Sequence, residues 1–530
     1  MYDWLIQNST IVDGSGKPRY QADVALEQGK IAAIAPSISA GLARQVLDAA
    51  GLVTAPGFID IHSHSDTYFL LDDRAESRIY QGVTTELAGQ CGSTIYPCPA
   101  DHMERIRQFA GEEVAEYASA SLGAFLEKVA RNNKKMGTNL APLIGHGALR
   151  CGVMGYEDRK ATPAEMEQMR SLLQRDMESG AWGLSLGLGY TPGLSSDRPE
   201  LCSLGEIVAR YDGLVTSHMR DQGLGTPISL DEMYEIYRRS GARIHIAHFK
   251  ASGRKAWGKA PEFAANLHAA QQAGIPVTAD VYPYCAASSG ITNSFPKWTI
   301  QGGTGRAVAM LQDPSQRGVI IEQLEQAFDT PEAGKALYVV TTGGLYPPAD
   351  GKDIWQLSQE LGLSMAETIA KVTVETKASA TCISFAMCEE DVDHMLSQSD
   401  FAIGSDGISL PLSPSENKGK PHPRNYGTFP RFLRLAREKG FCDLETAVHR
   451  ITGLSASYIG LPDRGLVQPG YVADLTLLTR RPLPIAPLTK ILSRSQKGSA
   501  MSSWPASPLC SMAGRRNTVW ASSCSNADSF

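Results

Sequence analysis

Eight short apolar runs, most of them followed by a stretch of helical periodicity, constrain this chain more than any other feature. They are GFIDIHS (57–63), TTELAGQCG (84–92), LAPLIGHG (140–147), AWGLSLGLGY (181–190), GLVTSHMRD (213–221), RIHIAHFKA (243–251), IPVTADVYPY (275–284) and DFAIGSDG (400–407). Helical patterns such as TPAEMEQMRSLLQRDMESG (162–180) and SLDEMYEIYRRSG (229–241) lie between them, each with acidic residues early and a glycine at the end. Strand and helix alternating eight times predict an α/β fold, a parallel (β/α)8 TIM-like barrel; an open doubly wound sheet is the competing arrangement.

The 530 residues exceed what one hydrophobic core serves, so a smaller companion is expected. Residues 1–54 read as short alternating strands, DWLIQNSTIVDG and ADVALEQGKIAAIAP, and a comparable stretch, DRGLVQPGYVADLTLL, returns at 463–478. The two together predict a small discontinuous β-sandwich domain from residues 1–54 and 456–480, with the barrel at 55–285 and 351–455. More than 100 residues separate DVYPY from FAIGSD, where the other gaps are mostly about 20–50. That excess predicts an insertion between barrel strands 7 and 8, placed at 286–350 and rich in Gly and Pro, as a lid or subdomain. Beyond Leu478 periodicity is lost and ten of the last 36 residues are serine, so residues 481–530 are read as an atypical tail without forced structure.

Barrel chemistry sits at the C-terminal ends of the strands. Run one ends in His62 and His64, run two in Cys91, run five in His218, run six in His248 and run eight in Asp406. All can bind a transition metal. Side chains two apart on a strand share a face, so His62 and His64 offer two imidazoles to one ion. Zinc takes three or four N, S or O ligands and keeps one position open when catalytic; the other four residues supply the remainder for one ion or a close pair. His245, three before His248, is expected on the opposite face as a packed or hydrogen-bonded histidine. His146 is read as structural or as a partner behind the site, and His422 in KPHPRNYGTFPR as a loop residue that could border it. His102, His268, His394 and His449 fall in helix-like segments with surface or packing roles. Ten scattered cysteines form no CxxC pair and imply free thiols or single ligands.

These motifs, PGFIDIHSHSD, GQCG, SHMRD, AHFK, DVYPY and IGSDG in this order, with HPRNYGTFPR and DRGLVQPGYVADL, resemble the N-acyl-D-amino-acid deacylases (D-aminoacylases) of the amidohydrolase superfamily. The resemblance runs from about residue 2 to 478. HxH alone points only to the superfamily, whereas the GQCG cysteine marks this branch off from relatives bridged by a carboxylated lysine. The resemblance implies zinc among His62, His64, Cys91, His218, His248 and Asp406, held tightly by the cysteine and later histidines and more weakly, as a second ion, at the HxH side. It also implies that Lys250 and Tyr282 grip the substrate carboxylate; Lys250 lies two beyond His248, as that role needs. Family members would be expected to continue past ADLTLL with a further strand or two and a short basic end. The serine-rich tail departs from this and suggests a reading-frame change, which sequencing the source DNA across the codons for residues 480–530 would decide.

The implied reaction is zinc-dependent hydrolysis of the amide of a small-molecule N-acyl-D-amino acid, with Asp406 as general base. Two alternatives keep the fold: a dipeptidase for peptides ending in a D-residue, or a cyclic amidase, and a metal-bound but silent scaffold. Tyr190 and the SSGITNSFPKW segment are read as pocket lining. No clear arginine lies there to meet an acidic side chain, which points to neutral or hydrophobic D-residues. A net charge of −6 without a Lys/Arg block argues against a nucleic-acid partner. The N-terminus MYDWLIQNSTIVDGSGK carries Asp3 where a signal peptide carries positive charge, and no run approaches a membrane span, so a cytoplasmic protein is expected.

Overall fold

Alternating apolar residues at the two ends of the chain pair into one sheet. The computed structural model describes residues 1–66, 68, 74–98, 117–131, 136–413, 420–479 and 510–512. Strands β1 (Tyr2–Ile11), β2 (Tyr20–Glu27), β3 (Lys30–Ala35), β4 (Ala43–Asp48) and β5 (Leu52–Pro56) join β18 (Leu475–Thr479) and β19 (Cys510–Met512) in a seven-stranded sheet. It branches at β1, whose first residues pair in parallel with β4 and whose last pair in parallel with β5. Successive side chains of a strand face opposite ways. Leu5 accordingly packs with Ala25 and Ile38, while Ile6 packs with Val24, Ile31 and Leu475, so both faces carry apolar clusters. β18 runs antiparallel to β5 and ties the C-terminal part to the N-terminal one. Of the expected tail, only Cys510–Met512 lies within the described residues; it pairs antiparallel with β18.

Every one of the eight apolar runs forms a strand. β6 (Phe58–Ser63), β7 (Val83–Ala88), β8 (Asn139–Gly145), β9 (Gly183–Gly187), β10 (Leu214–His218), β11 (Arg243–Ile246), β12 (Val277–Val281) and β17 (Phe401–Ile403) pair in parallel in that order. β6 and β7 are buried at all positions, as strands covered on both faces must be. The sheet closes on itself where β17 meets β6: Asp406 N donates to the carbonyl of His62 and His64 N to that of Gly407, each at 2.8 Å. Gly404 is needed at this seam because a Cβ there would stand 2.4 Å from the His62 Cβ. Helices wrap the barrel where the sequence supplies caps. Pro163–Glu178 begins with a reciprocal capping box between Thr162 and Glu165, and Thr226–Ser240 ends on left-handed Gly241. Leu184, Val215, Ile244, Ile246, Phe263 and Phe401 are among the buried residues between strands and helices.

Between β12 and β17 the chain leaves the barrel. β13 (Ala287–Gly290), β14 (Leu337–Thr341), β15 (Lys352–Asp353) and β16 (Thr381–Ser384) form a separate antiparallel sheet, so the excursion runs on to Ser384. It has a core of its own that includes Ile320, Leu324, Val339, Ile354, Leu357 and Ile369. Among the described residues no helix is long and apolar enough to cross a membrane.

Candidate metal centre

The six donor residues reach one mouth of the barrel from five strand ends. His62 closes its strand within β6 and His64 lies just past it; Cys91 follows β7, His218 ends β10, His248 follows β11 and Asp406 follows β17. Cys91, His248 and Asp406 have positive φ of 55°, 38° and 52°. Such a conformation is uncommon outside glycine and persists only where the surroundings impose it. Here it turns each side chain inward at the strand end. The backbone also crowds in: a Cβ at Gly187 would stand 2.1 Å from the Cys91 carbonyl oxygen.

The donors fall into two groups that share Cys91. In one, Cys91 Sγ lies 3.4 Å from His248 Nε2 and 3.8 Å from His218 Nδ1, and those nitrogens are 2.9 Å apart. In the other, His62 Nε2 lies 3.6 Å from Cys91 Sγ and 3.6 Å from Asp406 Oδ1, and His64 Nε2 lies 3.1 Å from the same oxygen. Bonds of about 2.0–2.3 Å to a tetrahedral zinc put neighbouring donors roughly 3.3–3.8 Å apart. The three Cys91 distances fall in that band, and the His218 and His248 pair is tighter. One thiol, imidazole nitrogens and a carboxylate are the donor types zinc takes, so the residues fit that ion.

Electrostatics favour the ligand forms of Cys91, Asp406 and His248. Burial alone would raise the Cys91 thiol, but the facing imidazoles of His248, His62 and His218 hold it well below its ordinary range. Burial likewise opposes ionisation of Asp406, but Arg424 and the hydrogen bond from His64, with the neighbouring histidines, together keep the carboxyl well below its usual value. Burial, reinforced by Lys250, lowers His248 to about 4, leaving it a neutral imidazole. His62 and His64 differ: burial works against their charged forms, but Asp280 and Cys91 raise His62 well above its ordinary value, and Asp406 with Cys91 raises His64 to about 9.

A ring of partners holds the donors. Asp280 Oδ2 lies 3.3 Å from His62 Nδ1 and 2.9 Å from His245 Nε2, and its Oδ1 accepts from His248 N at 3.0 Å. His245 is therefore buried and hydrogen-bonded, but not turned away from the site as strict alternation implied. β11 ends at Ile246 and the chain bends at His248, so Asp280 reaches both residues. Beneath the seam, Asp60 accepts from Ser405 N at 2.8 Å, and Arg78 bridges Ser405, Asp60 and Glu86.

Tyr190, Lys250 and Tyr282 surround the donors. The Tyr190 ring packs against His218 with centroids 4.3 Å apart and planes tilted by 47°, and Lys250 Nζ donates to the Tyr282 hydroxyl at 3.2 Å. Burial lowers Lys250 to about 8. Two residues at the site were not anticipated: Arg424, whose Nη1 donates to Asp406 Oδ2 at 2.7 Å, and Asp280. An aspartate inside the apolar run VTADV and an arginine two past His422 were the available signals. His422 itself is buried behind Arg424, its Nδ1 accepting from the Arg424 backbone at 3.0 Å and its Nε2 against the Ala286 carbonyl at 3.1 Å. His146 sits apart from the donors, 2.7 Å from Glu200. His268 pairs with Asp400 and His449 with the Gly14 carbonyl, His394 lies in the helix Glu389–Ser397, and His102 falls outside the described residues.

The pattern of the amidohydrolase family matches residues 45–323 and 414–492, more than half of the sequence. The chain belongs to the amidohydrolase family. Among its relatives, this amidohydrolase is 32% identical to the D-aminoacylase of Alcaligenes xylosoxydans xylosoxydans over 90% of its own length and 88% of the relative's. The solved N-acyl-D-glutamate deacylase of Bordetella bronchiseptica, complexed with zinc and a phosphonate that mimics the tetrahedral intermediate, superposes with a TM-score of 0.75 at 29% identity, covering 90% of both chains. A D-aminoacylase structure concerned with one-metal activation and second-metal attenuation in a binuclear centre superposes with a TM-score of 0.75 at 31% identity, again over 90% of both.

Proposed function

We propose that this amidohydrolase cleaves the amide bond of N-acyl-D-amino acids, releasing a carboxylate and a free D-amino acid, with zinc as its metal. The reading is carried by the convergence of His62, His64, Cys91 and Asp406 in one group at ligand spacing and of Cys91, His218 and His248 in another, in a chain similar over nine-tenths of its length to a D-aminoacylase. Bound zinc lowers the pKa of its water toward about 7 and polarises the amide carbonyl.

The protein's own groups do the rest. Asp406, kept ionised by Arg424, accepts the proton of the attacking water and passes it to the departing nitrogen. Lys250 and the Tyr282 hydroxyl, 3.2 Å apart, receive the substrate α-carboxylate. Arg424, whose guanidinium lies 5.9 Å from the Tyr282 ring centroid, adds positive potential on the same side. An α-carboxylate pinned here and an amide held at the donors leave one hand of the α-carbon able to satisfy both. Tyr190, packed against His218, lines the acyl side.

The test is a panel of N-acetyl-D-amino acids with neutral, hydrophobic and acidic side chains, the matching L-enantiomers, a dipeptide ending in a D-residue and a hydantoin, each with and without added zinc. Turnover of the D-series, absent from the L-series and lost on chelation, is the expected outcome. Equal turnover of both enantiomers, or preferential opening of the hydantoin, contradicts the reading.

A further inference from the structure

Three imidazoles of the donor cluster carry different groups behind them. His62 has the Asp280 carboxylate 3.3 Å from Nδ1, and a Cβ at Gly189 would stand 2.8 Å from His218 Nε2, which therefore abuts backbone. His248 alone has a neutral amide: Gln222 Nε2 lies 3.0 Å from its Nδ1. We propose that Gln222 is a positioning residue that sets the tautomer and ring orientation of His248 and thereby the strength with which the Cys91, His218 and His248 group holds zinc.

The inference rests on the reading of those three residues as zinc ligands. His248 Nε2 faces Cys91 Sγ at 3.4 Å and His218 Nδ1 at 2.9 Å, so Nε2 is the atom that would ligate. A neutral imidazole has one protonated and one free nitrogen; for Nε2 to offer its lone pair, the proton must sit on Nδ1. A proton on Nδ1 needs an acceptor, and the group in reach is the Gln222 carboxamide, whose oxygen serves once it is turned toward the ring. With the amide nitrogen facing the ring, as it does here, Nδ1 accepts, the proton sits on Nε2 and no lone pair is free to ligate; a half-turn of the carboxamide exchanges nitrogen for oxygen in the same space and gives the ligating form. Gln222 thus decides between a ligand and a non-ligand.

The supporting geometry is independent of the side chain. The Gln222 carbonyl accepts from Ser252 N at 2.8 Å, tying the loop after β10 to the loop after β11, and the His248 backbone is held separately by Asp280. Replacing the Gln222 side chain therefore leaves both loops anchored. Asp280 cannot substitute, because its oxygens are taken by His62, His245 and the His248 backbone.

The test compares zinc affinity of the full-length native chain with Gln222→Leu and Gln222→Glu, by competition with a chromophoric chelator, alongside the melting temperature of each metal-free protein. Gln222→Leu, which has no acceptor, should bind zinc roughly 10- to 100-fold more weakly, the usual cost of losing a partner behind a ligating histidine. Gln222→Glu, which keeps an acceptor, should bind at least as tightly as the native chain. Metal-free melting temperatures should match, separating positioning from general destabilisation. Native affinity in Gln222→Leu, or an equal loss in Gln222→Glu, overturns the proposal; should Gln222→Leu fail to fold, Gln222→Glu decides alone. A native chain that binds no zinc contradicts the reading of the site itself, which keeps the two failures apart.

Discussion

The two halves of the donor cluster are built differently. Cys91, His218 and His248 are a thiol and two imidazoles, with a neutral amide behind His248 and no carboxylate oxygen among the donors. His62, His64 and Asp406 are interlaced with full charges: Asp280 behind His62, and Arg424 on Asp406. A thiolate with neutral nitrogens suits holding a zinc ion firmly. A carboxylate fixed by an arginine, beside a partly exposed histidine, suits moving protons at the open edge. On the proposed function the contrast divides grip from chemistry, and each half can be broken separately.

The largest effect is expected from Cys91→Ala, the residue both halves share. Zinc affinity, read by chelator competition, should fall by more than the roughly 100-fold that marks loss of an outer partner, and activity should go with it. His64→Ala, confined to the second half, should keep the tightly held ion; an equal loss in the two variants would erase the distinction. Next, Asp406→Asn should retain zinc by metal analysis while turnover drops by about 10²–10⁴-fold, the range that positioned proton transfer contributes. Near-normal kcat in that variant would remove the base assignment.

How much of this was legible in the sequence divides along the same line. The barrel was, because each parallel strand is covered on both faces and so reads as a nearly unbroken apolar run. The candidate donors were also visible, as polar residues where those runs end. The groups behind them were hidden for physical reasons. Asp280 lies inside a strand, where alternation gives no sign that a carboxylate serves three neighbours at once. Arg424 begins the helix Arg424–Lys439, eighteen residues past Asp406, and meets it only because that helix packs back over the barrel mouth. His245 was placed on the wrong side because period-two alternation was carried past the end of β11 into the bend at His248. The separate sheet between β12 and β17 was signalled by length, but its strands are too short to set its limits.

Smaller effects sharpen the comparison. Lys250→Met should raise KM for an N-acetyl-D-amino acid by roughly 10- to 150-fold with less change in kcat, matching a charge-assisted hydrogen bond of about 1.5–3 kcal/mol. A fall in kcat alone would assign Lys250 to the chemistry instead. Asp280→Asn keeps one acceptor but loses the charge behind His62, and should weaken zinc or lower activity by about tenfold, the low end for such partners. No change in either would make Asp280 a purely structural residue.

X-ray absorption at the zinc edge of the zinc-loaded chain tests the centre most directly. The account predicts one sulfur at about 2.3 Å, from Cys91, with the remaining ligands nitrogen or oxygen at about 2.0–2.2 Å. A zinc shell without sulfur, or one with several, would contradict it.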